Sequence, residues 1–175
     1  KISGVEIRIN NRKIISGVAE ILKEQEKFAD IIIAIDKLDK VGLDAVLKEL
    51  SAKGLADEKL NFLKQFLAIS GGNAEKLAAL KTLLVDSAAA LQGIEELEFI
   101  LANTPNISPI IDTTLVRGLD YYTGLIVEVK PTTVQMGSIG GGGRYDNLTE
   151  IFGGQNMSGV GISFGVDRIY DVLEE

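Results

Sequence analysis

Apolar residues in this chain change their spacing twice, from every second residue to helical spacing and back. Near the start, Val5, Ile7 and Ile9 alternate with Glu6, Arg8 and Asn10, the period-two pattern of a half-buried strand. From about Val41 to Asn103 the apolar stripes are helical, with no strand-like run between them. After Pro105 and Pro109 strand character returns in Leu125-Ile-Val-Glu-Val129, and again where Val160, Ile162 and Phe164 alternate with Gly161 and Ser163. This order suggests that the two ends build one sheet together, with the helices inserted between them. The expected fold is α+β: a sheet with flanking helices plus a helical insertion domain, divided as residues 1–40, 41–103 and 104–175.

Within that frame, Asn10 or Asn11 is placed to cap a helix carrying Ile14, Ile15, Val18, Ile21 and Leu22, since its side-chain oxygen can accept an orphan backbone N–H. A second helix runs through Phe28, Ile31, Ile32, Ile35 and Leu38. The central block divides into four stripes. Leu43, Val46, Leu47 and Leu50 form one, closed by Gly54, a residue suited to the left-handed position after a helix. Leu60, Leu63, Phe66 and Leu67 form another, ended by Ser70-Gly-Gly-Asn73. Leu77, Leu80, Leu84, Ala88 and Leu91 read as a third, and Ile94, Leu97 and Leu101 as a less regular fourth. These stripes are the core of a small bundle. Gly137 to Gly143 reads as a glycine loop, and Asp167 to Glu174 as a closing helix.

Composition removes several chemistries. The 175 residues contain no cysteine and no histidine, which excludes disulfides, thiolate metal sites, histidine general bases and His-ligated zinc within them. The net charge of −7 gives no support to a broad nucleic-acid-binding face, although a local basic patch remains compatible with it. Residues 37–108 hold eight Lys against ten Asp and Glu, and Lys48, Lys53, Lys59, Lys64, Lys76 and Lys81 are the ones that could gather on one side. No apolar run reaches the length of a membrane span. The start lacks both the layout of a signal peptide and an initiator Met, so it reads as a boundary or a processed end, and the expected location is cytoplasmic.

Three clusters carry chemistry. The first is Leu115-Val-Arg-Gly-Leu-Asp-Tyr-Tyr-Thr-Gly124. Its Arg117 offers a fixed fork of donors for carboxylate or phosphate, and Tyr121 and Tyr122 offer hydroxyls. On a strand, adjacent tyrosines point to opposite faces, so only one would line a given pocket unless the backbone is irregular there. The second cluster is Gly140-Gly-Gly-Gly-Arg-Tyr-Asp146, where glycines permit a close backbone approach to a ligand or form a hairpin loop. The third is Gly159-Val-Gly-Ile-Ser-Phe-Gly-Val-Asp-Arg168, a strand with one bare face, where glycine is costly unless something lies against it. Arg168 then falls in the first turn of a helix, against the macrodipole. An anionic ligand or a salt bridge to a nearby carboxylate would account for it.

Taken in order, these runs resemble the histidyl-tRNA synthetases. Leu115 to Gly124 resembles the histidine-specific signature, Gly142-Gly-Arg-Tyr-Asp146 the second signature, and Gly159 to Arg168 motif 3 of the class II synthetases. Asn10-Asn-Arg-Lys13 and Asp36-Lys-Leu-Asp-Lys-Val41 resemble the stretch after motif 2. The resemblance implies the class II antiparallel sheet, and activation of L-histidine with ATP and Mg2+ to histidyl-adenylate for transfer to tRNA(His), in a homodimer. Arg117 would be catalytic, reaching the α-phosphate and the histidine carboxylate. Tyr121, Tyr122 and Tyr145 would line the histidine pocket, and Arg168, Gly161 and Gly165 would bind ATP. The helical block would meet the tRNA acceptor arm. No Mg2+ ligand can be named from the sequence. Asn147 stands where the family usually has glycine.

Motifs 1 and 2 and an anticodon-binding domain find no counterpart in these residues, so the chain is expected to be a fragment that is inactive alone. Two non-catalytic relatives share the scaffold: the regulatory subunit of ATP phosphoribosyltransferase and the tRNA-sensing domain of a stress kinase. Retention of Arg117 and Arg168 favours the enzyme. A reading without any family is a helical RNA-binding module joined to a β-rich nucleotide-binding domain.

Overall fold

The computed structural model describes residues 4–117, 121–148, 153 and 157–174. The Gly118-Leu119-Asp120 portion of the first signature lies outside the described residues.

Strand β1 (Val5–Asn11) runs straight into helix α1 (Arg12–Leu22), and the side chain of Asn11 accepts the Lys13 N–H as its cap. A 3-10 turn at Gln25–Lys27 leads to α2 (Phe28–Asp36) and the single turn α3 (Leu38–Val41). The central block comprises α4 (Leu43–Ala52), α5 (Asp57–Leu67), α6 (Asn73–Leu83) and α7 (Ala88–Asn103). Gly54 closes α4 at φ +82°, and the Leu55 N–H reaches back to the Leu50 carbonyl. The stripe from Leu77 to Leu91 is not one helix. It breaks between Leu83 and Ala88, where the Ser87 hydroxyl accepts the Ala90 N–H and starts α7. Leu84 and Leu91 keep their spacing across that turn, which is why periodicity alone runs the two helices together.

The remaining strands are β2 (Ile110–Ile111), β3 (Leu125–Pro131), β4 (Gly140–Tyr145) and β5 (Gly159–Phe164), followed by helix α8 (Val166–Glu174). They form one five-stranded sheet in the order β2-β1-β3-β4-β5. It is antiparallel except for β2, which lies parallel to β1 at the edge. The sheet is thus made from both ends of the chain, as the two changes of period suggest. The expected glycine loop at 137–143 is corrected in part, because Gly140 to Gly143 are strand residues paired on both sides. The packing demands glycine there. A Cβ on Gly142 would sit 2.1 Å from the Gly161 carbonyl oxygen, and one on Gly143 would sit 2.4 Å from that of Leu125.

One sheet face carries Ile7 and Ile9 of β1 with Leu125 and Val127 of β3, and these pack into a single apolar cluster with the helices. The buried residues of the central block, including Leu50, Phe66, Leu80 and Leu97, belong to the same cluster as Ile9 and Ile14. Full burial of such side chains stabilises by roughly 1.5–3 kcal/mol each. Helix α7 reaches the sheet by lying directly on α1. A Cβ on Gly17 would be 2.5 Å from that of Ala90, and one on Gly93 would be 3.1 Å from the Ile14 nitrogen. The opposite sheet face presents Arg8, Asn10, Ile126, Glu128 and Lys130, and continues across the glycine strand to Ser163.

Candidate functional site

The site is built on that second face. Residues 112–116 cross over β1 and are pinned to it. The Asp112 N–H donates to the Ile9 carbonyl at 2.9 Å. Its carboxylate accepts from the Thr114 hydroxyl at 2.6 Å, the Thr114 N–H at 3.0 Å and Arg8 at 2.9 Å. Burial alone would raise the Asp112 pKa, but these bonds from Thr114 and Arg8 outweigh it and hold the group below its ordinary value. The amide of Asn10, fully buried in β1, donates to the Leu115 carbonyl at 3.0 Å and the Thr113 carbonyl at 3.4 Å. Leu115 and Val116 are buried, so Arg117 emerges from an anchored stem.

The Arg117 side chain is half-exposed, with Nε 2.7 Å from Oε1 of Glu128. This is a charge contact whose N–H direction is not that of a hydrogen bond. Glu128 stands in the middle of β3 with only 3% of its side chain exposed, and Lys130 lies 3.4 Å from its other oxygen.

Tyr121 and Tyr122 precede β3 in irregular backbone. Strand alternation does not apply to them, and both line the cavity, with ring centroids 4.3 Å apart. The irregular backbone is the exception under which both of the pair can face one pocket. The loop that carries them is tied at its base. Thr123 donates its N–H to the Arg144 carbonyl at 2.8 Å and its hydroxyl to Asp146 at 2.6 Å, and the Arg12 N–H donates to the Gly124 carbonyl at 2.8 Å. The Thr123 bond, with Arg144 beside it, lowers the Asp146 pKa against the effect of burial. Burial, then the bond to Tyr121 and the proximity of Tyr121 and Tyr145, raise the pKa of Tyr122.

Arg117, Tyr121, Tyr122, Gly165 and Arg168 share the wall of one cavity of about 450 Å³, floored by Gly140, Gly141 and Gly142. Gly161 and Tyr145 lie beside it rather than on its wall. The Tyr145 ring covers Gly159 and Gly161, so that a Cβ on Gly159 would meet it at 2.2 Å. That contact explains the bare face of β5. Arg168 sits in the first turn of α8 and donates to the Ser138 carbonyl at 2.7 Å. This partner is neutral, and among the described residues Arg168 has no salt bridge to a carboxylate, the second of the two accounts offered for it. Arg117 and Arg168 thus both bring positive charge to the wall of a glycine-floored hollow. Such a hollow suits a ligand that is anionic at one end and small and polar at the other.

Asp112, Ser138 and Glu128 are site-building residues that the sequence pattern does not single out, and Asn10, noted there as a candidate cap, instead anchors the stem of Arg117. Glu128 is the one with a visible signal, a lone acid inside an apolar strand run. Among the described residues no group of three or more Asp and Glu stands close enough to hold a metal ion, and no helix is long and apolar enough to cross a membrane.

A family model described as histidyl-tRNA synthetase matches residues 1–169. Relatives include a histidine–tRNA ligase from Bacteroides fragilis, 58% identical over 97% of this chain, and one from Phocaeicola vulgatus, 56% identical over 98%. The chain spans 38% of the length of each. Among solved structures, the histidyl-tRNA synthetase of Nostoc sp. PCC 7120 superimposes with a TM-score of 0.87 at 34% identity, covering 97% of this chain and 42% of that one. A Bacillus halodurans protein described as an ATP phosphoribosyltransferase regulatory subunit/histidyl-tRNA synthetase superimposes at 0.81 with 16% identity, covering 98% of this chain and 45% of that one, a likeness of fold alone.

Proposed function

The chain belongs to the histidyl-tRNA synthetase family, and from that footing we propose that it supplies one wall of a site that activates L-histidine with ATP and passes it to tRNA(His). The observation that carries the reading is the convergence of Arg117, Arg168 and both signature tyrosines on one cavity with a glycine floor. In the proposed reaction a carboxylate oxygen of histidine attacks the α-phosphorus of ATP. The new C–O–P link forms as the bond to pyrophosphate breaks, leaving histidyl-adenylate. Arg117 meets the charge that grows on the α-phosphoryl oxygens. A guanidinium held in place does this without a proton transfer and without reorganising at the moment of reaction. Tyr121 and Tyr122 offer hydroxyls to the substrate histidine, with Tyr145 supporting them from behind. Arg168 holds ATP, and the bare backbone at Gly165 lets the nucleotide lie close, with Gly161 beside the cavity under the Tyr145 ring. Mg2+ would accompany ATP, and no step is assigned to it because no fitting ligand group is found among the described residues.

The same reading makes residues 41–103 an insertion domain that meets the tRNA acceptor arm, between catalytic portions at 1–40 and 104–175, in a cytoplasmic homodimer. Retention of both arginines on the cavity wall favours the enzyme over a non-catalytic module on the same scaffold. The test is histidine-dependent ATP–pyrophosphate exchange by the full-length protein that carries these residues. Arg117→Ala is expected to lower its turnover by roughly two to four orders of magnitude. A fall of less than tenfold with a raised KM for histidine would make Arg117 a ground-state binder instead.

A further inference from the structure

A carboxylate buried in the middle of a strand needs a reason, because removing its charge from water costs several kcal/mol unless cations stand against it. Glu128 is such a group, with 3% of its side chain exposed. Its strand neighbours narrow the choice of partner. Arg8 lies opposite it on β1, but Arg8 is engaged by Glu6 and Asp112. On the other side lies Gly141, which contributes no side chain and leaves the space above the strand open to the cavity. The cations that reach Glu128 are Arg117 at 2.7 Å and Lys130 at 3.4 Å, and Lys130 is also 3.8 Å from Asp39.

We propose that Glu128 is a positioning residue for adenylation, whose buried carboxylate sets the orientation of the Arg117 guanidinium toward the reacting phosphate. This rests on the reading of the cavity as a histidine-activating site. The closest approach is at Nε of Arg117, the nitrogen set back from the two terminal nitrogens of the fork. Those nitrogens are the pair that grips a carboxylate or phosphate in two places. The arginine stem is fixed by buried Leu115 and Val116, whereas its head is half-exposed and free to sample several rotamers unless something holds it. Among the described residues Glu128 is the one anion within 4 Å of that head. Its Oε1 accepts no hydrogen bond from the described residues. A turn of the guanidinium that aligns Nε–H with Oε1 completes the bond, and an anionic ligand gripped by the far end of the fork favours that turn. Glu128 also draws down the positive field of Arg117, which opposes catalysis. The proposal is that orientation outweighs this, because an arginine stays charged whether or not it is paired.

The test uses the full-length synthetase bearing these residues and reads histidine-dependent ATP–pyrophosphate exchange. Absence of exchange in the unsubstituted protein defeats the functional reading itself. Given exchange, Glu128→Gln is expected to lower kcat about 10- to 100-fold with both KM values within about threefold, and to change kcat less than about threefold when Arg117 is already Ala. Glu128→Asp, which keeps the charge on a shorter stem, is expected to lower kcat less than Glu128→Gln does, by about three- to tenfold. A kcat within threefold of that enzyme for Glu128→Gln overturns the proposal. Multiplicative losses with Arg117→Ala also overturn it, because independent sites add in free energy. Should Glu128→Gln fail to fold, as read by its thermal midpoint, the same cycle is run with Glu128→Asp. There a loss of kcat that vanishes in the Arg117→Ala background supports the proposal, and no loss, or an undiminished one, overturns it.

Discussion

Asn10→Leu removes the amide that ties β1 to the stem of Arg117 while keeping the side-chain volume similar. Two donations are lost, to Leu115 at 3.0 Å and to Thr113 at 3.4 Å. A net hydrogen bond contributes about 0.5–1.5 kcal/mol, and a buried carbonyl left without a donor costs a further 1–3 kcal/mol. Both carbonyls belong to residues no more than 5% exposed, so water does not readily replace the amide. Allowing for the longer, weaker contact and for the apolar burial that leucine adds, the expected destabilisation is about 2–4 kcal/mol. With a urea slope of about 2 kcal/mol/M, the unfolding midpoint drops by roughly 1–2 M. Amide exchange over residues 113–117 should quicken in step. A midpoint shift under about 0.3 M would refute the idea that Asn10 anchors the stem.

Gly143→Ala places a Cβ 2.4 Å from the Leu125 carbonyl and 2.8 Å from the Tyr122 ring. It is expected to destabilise by about 1–3 kcal/mol and to raise the KM for histidine at least tenfold in the full-length enzyme, as measured by thermal unfolding and steady-state exchange. Asp112 has a folded pKa held below its ordinary 3.8. Its contribution is therefore present above that ordinary value and lost as pH falls through the lower folded one. Urea midpoints measured from pH 6 to pH 2 should fall below about pH 4, and Asp112→Asn should be less stable at neutral pH with a flatter acid limb.

Elements whose cause is local are legible from the residues. Strand β1 follows from its alternation, and α1 from Asn11, whose side chain caps the next helix within two residues. Strand β4 is not legible, because four glycines carry no side-chain period and their pairing with β3 and β5 is set by residues far away in sequence. The same distance hides Glu128. Within Leu125–Val129 it reads as the solvent-facing residue of a half-buried strand, but that face is covered by residues 112–117. The arginines and tyrosines of the site are legible by type and order. Their convergence is not, since it depends on a crossover that only the sheet reveals. Likewise, the tyrosine pair obeys strand alternation only if the strand begins before Tyr121, and it begins at Leu125.

The crossing of α7 on α1 governs where a chain like this one can change length. Gly17 faces Ala90, and Gly93 faces Ile14, so α7 works as a keyed shaft seated in α1. Adding or deleting one residue between Ala88 and Gly93 turns everything beyond by about 100° and swings Gly93 off its seat. The turn between α4 and α5 has no such key, whereas the start of α6 is tied to the sheet edge by Asn73, which bonds Pro109 and Ile111. Extra residues in the α4–α5 turn would only displace a rim, because a longer surface turn costs little in closure entropy. Length variation in relatives should therefore gather between residues 53 and 56 and be absent from the start of α7.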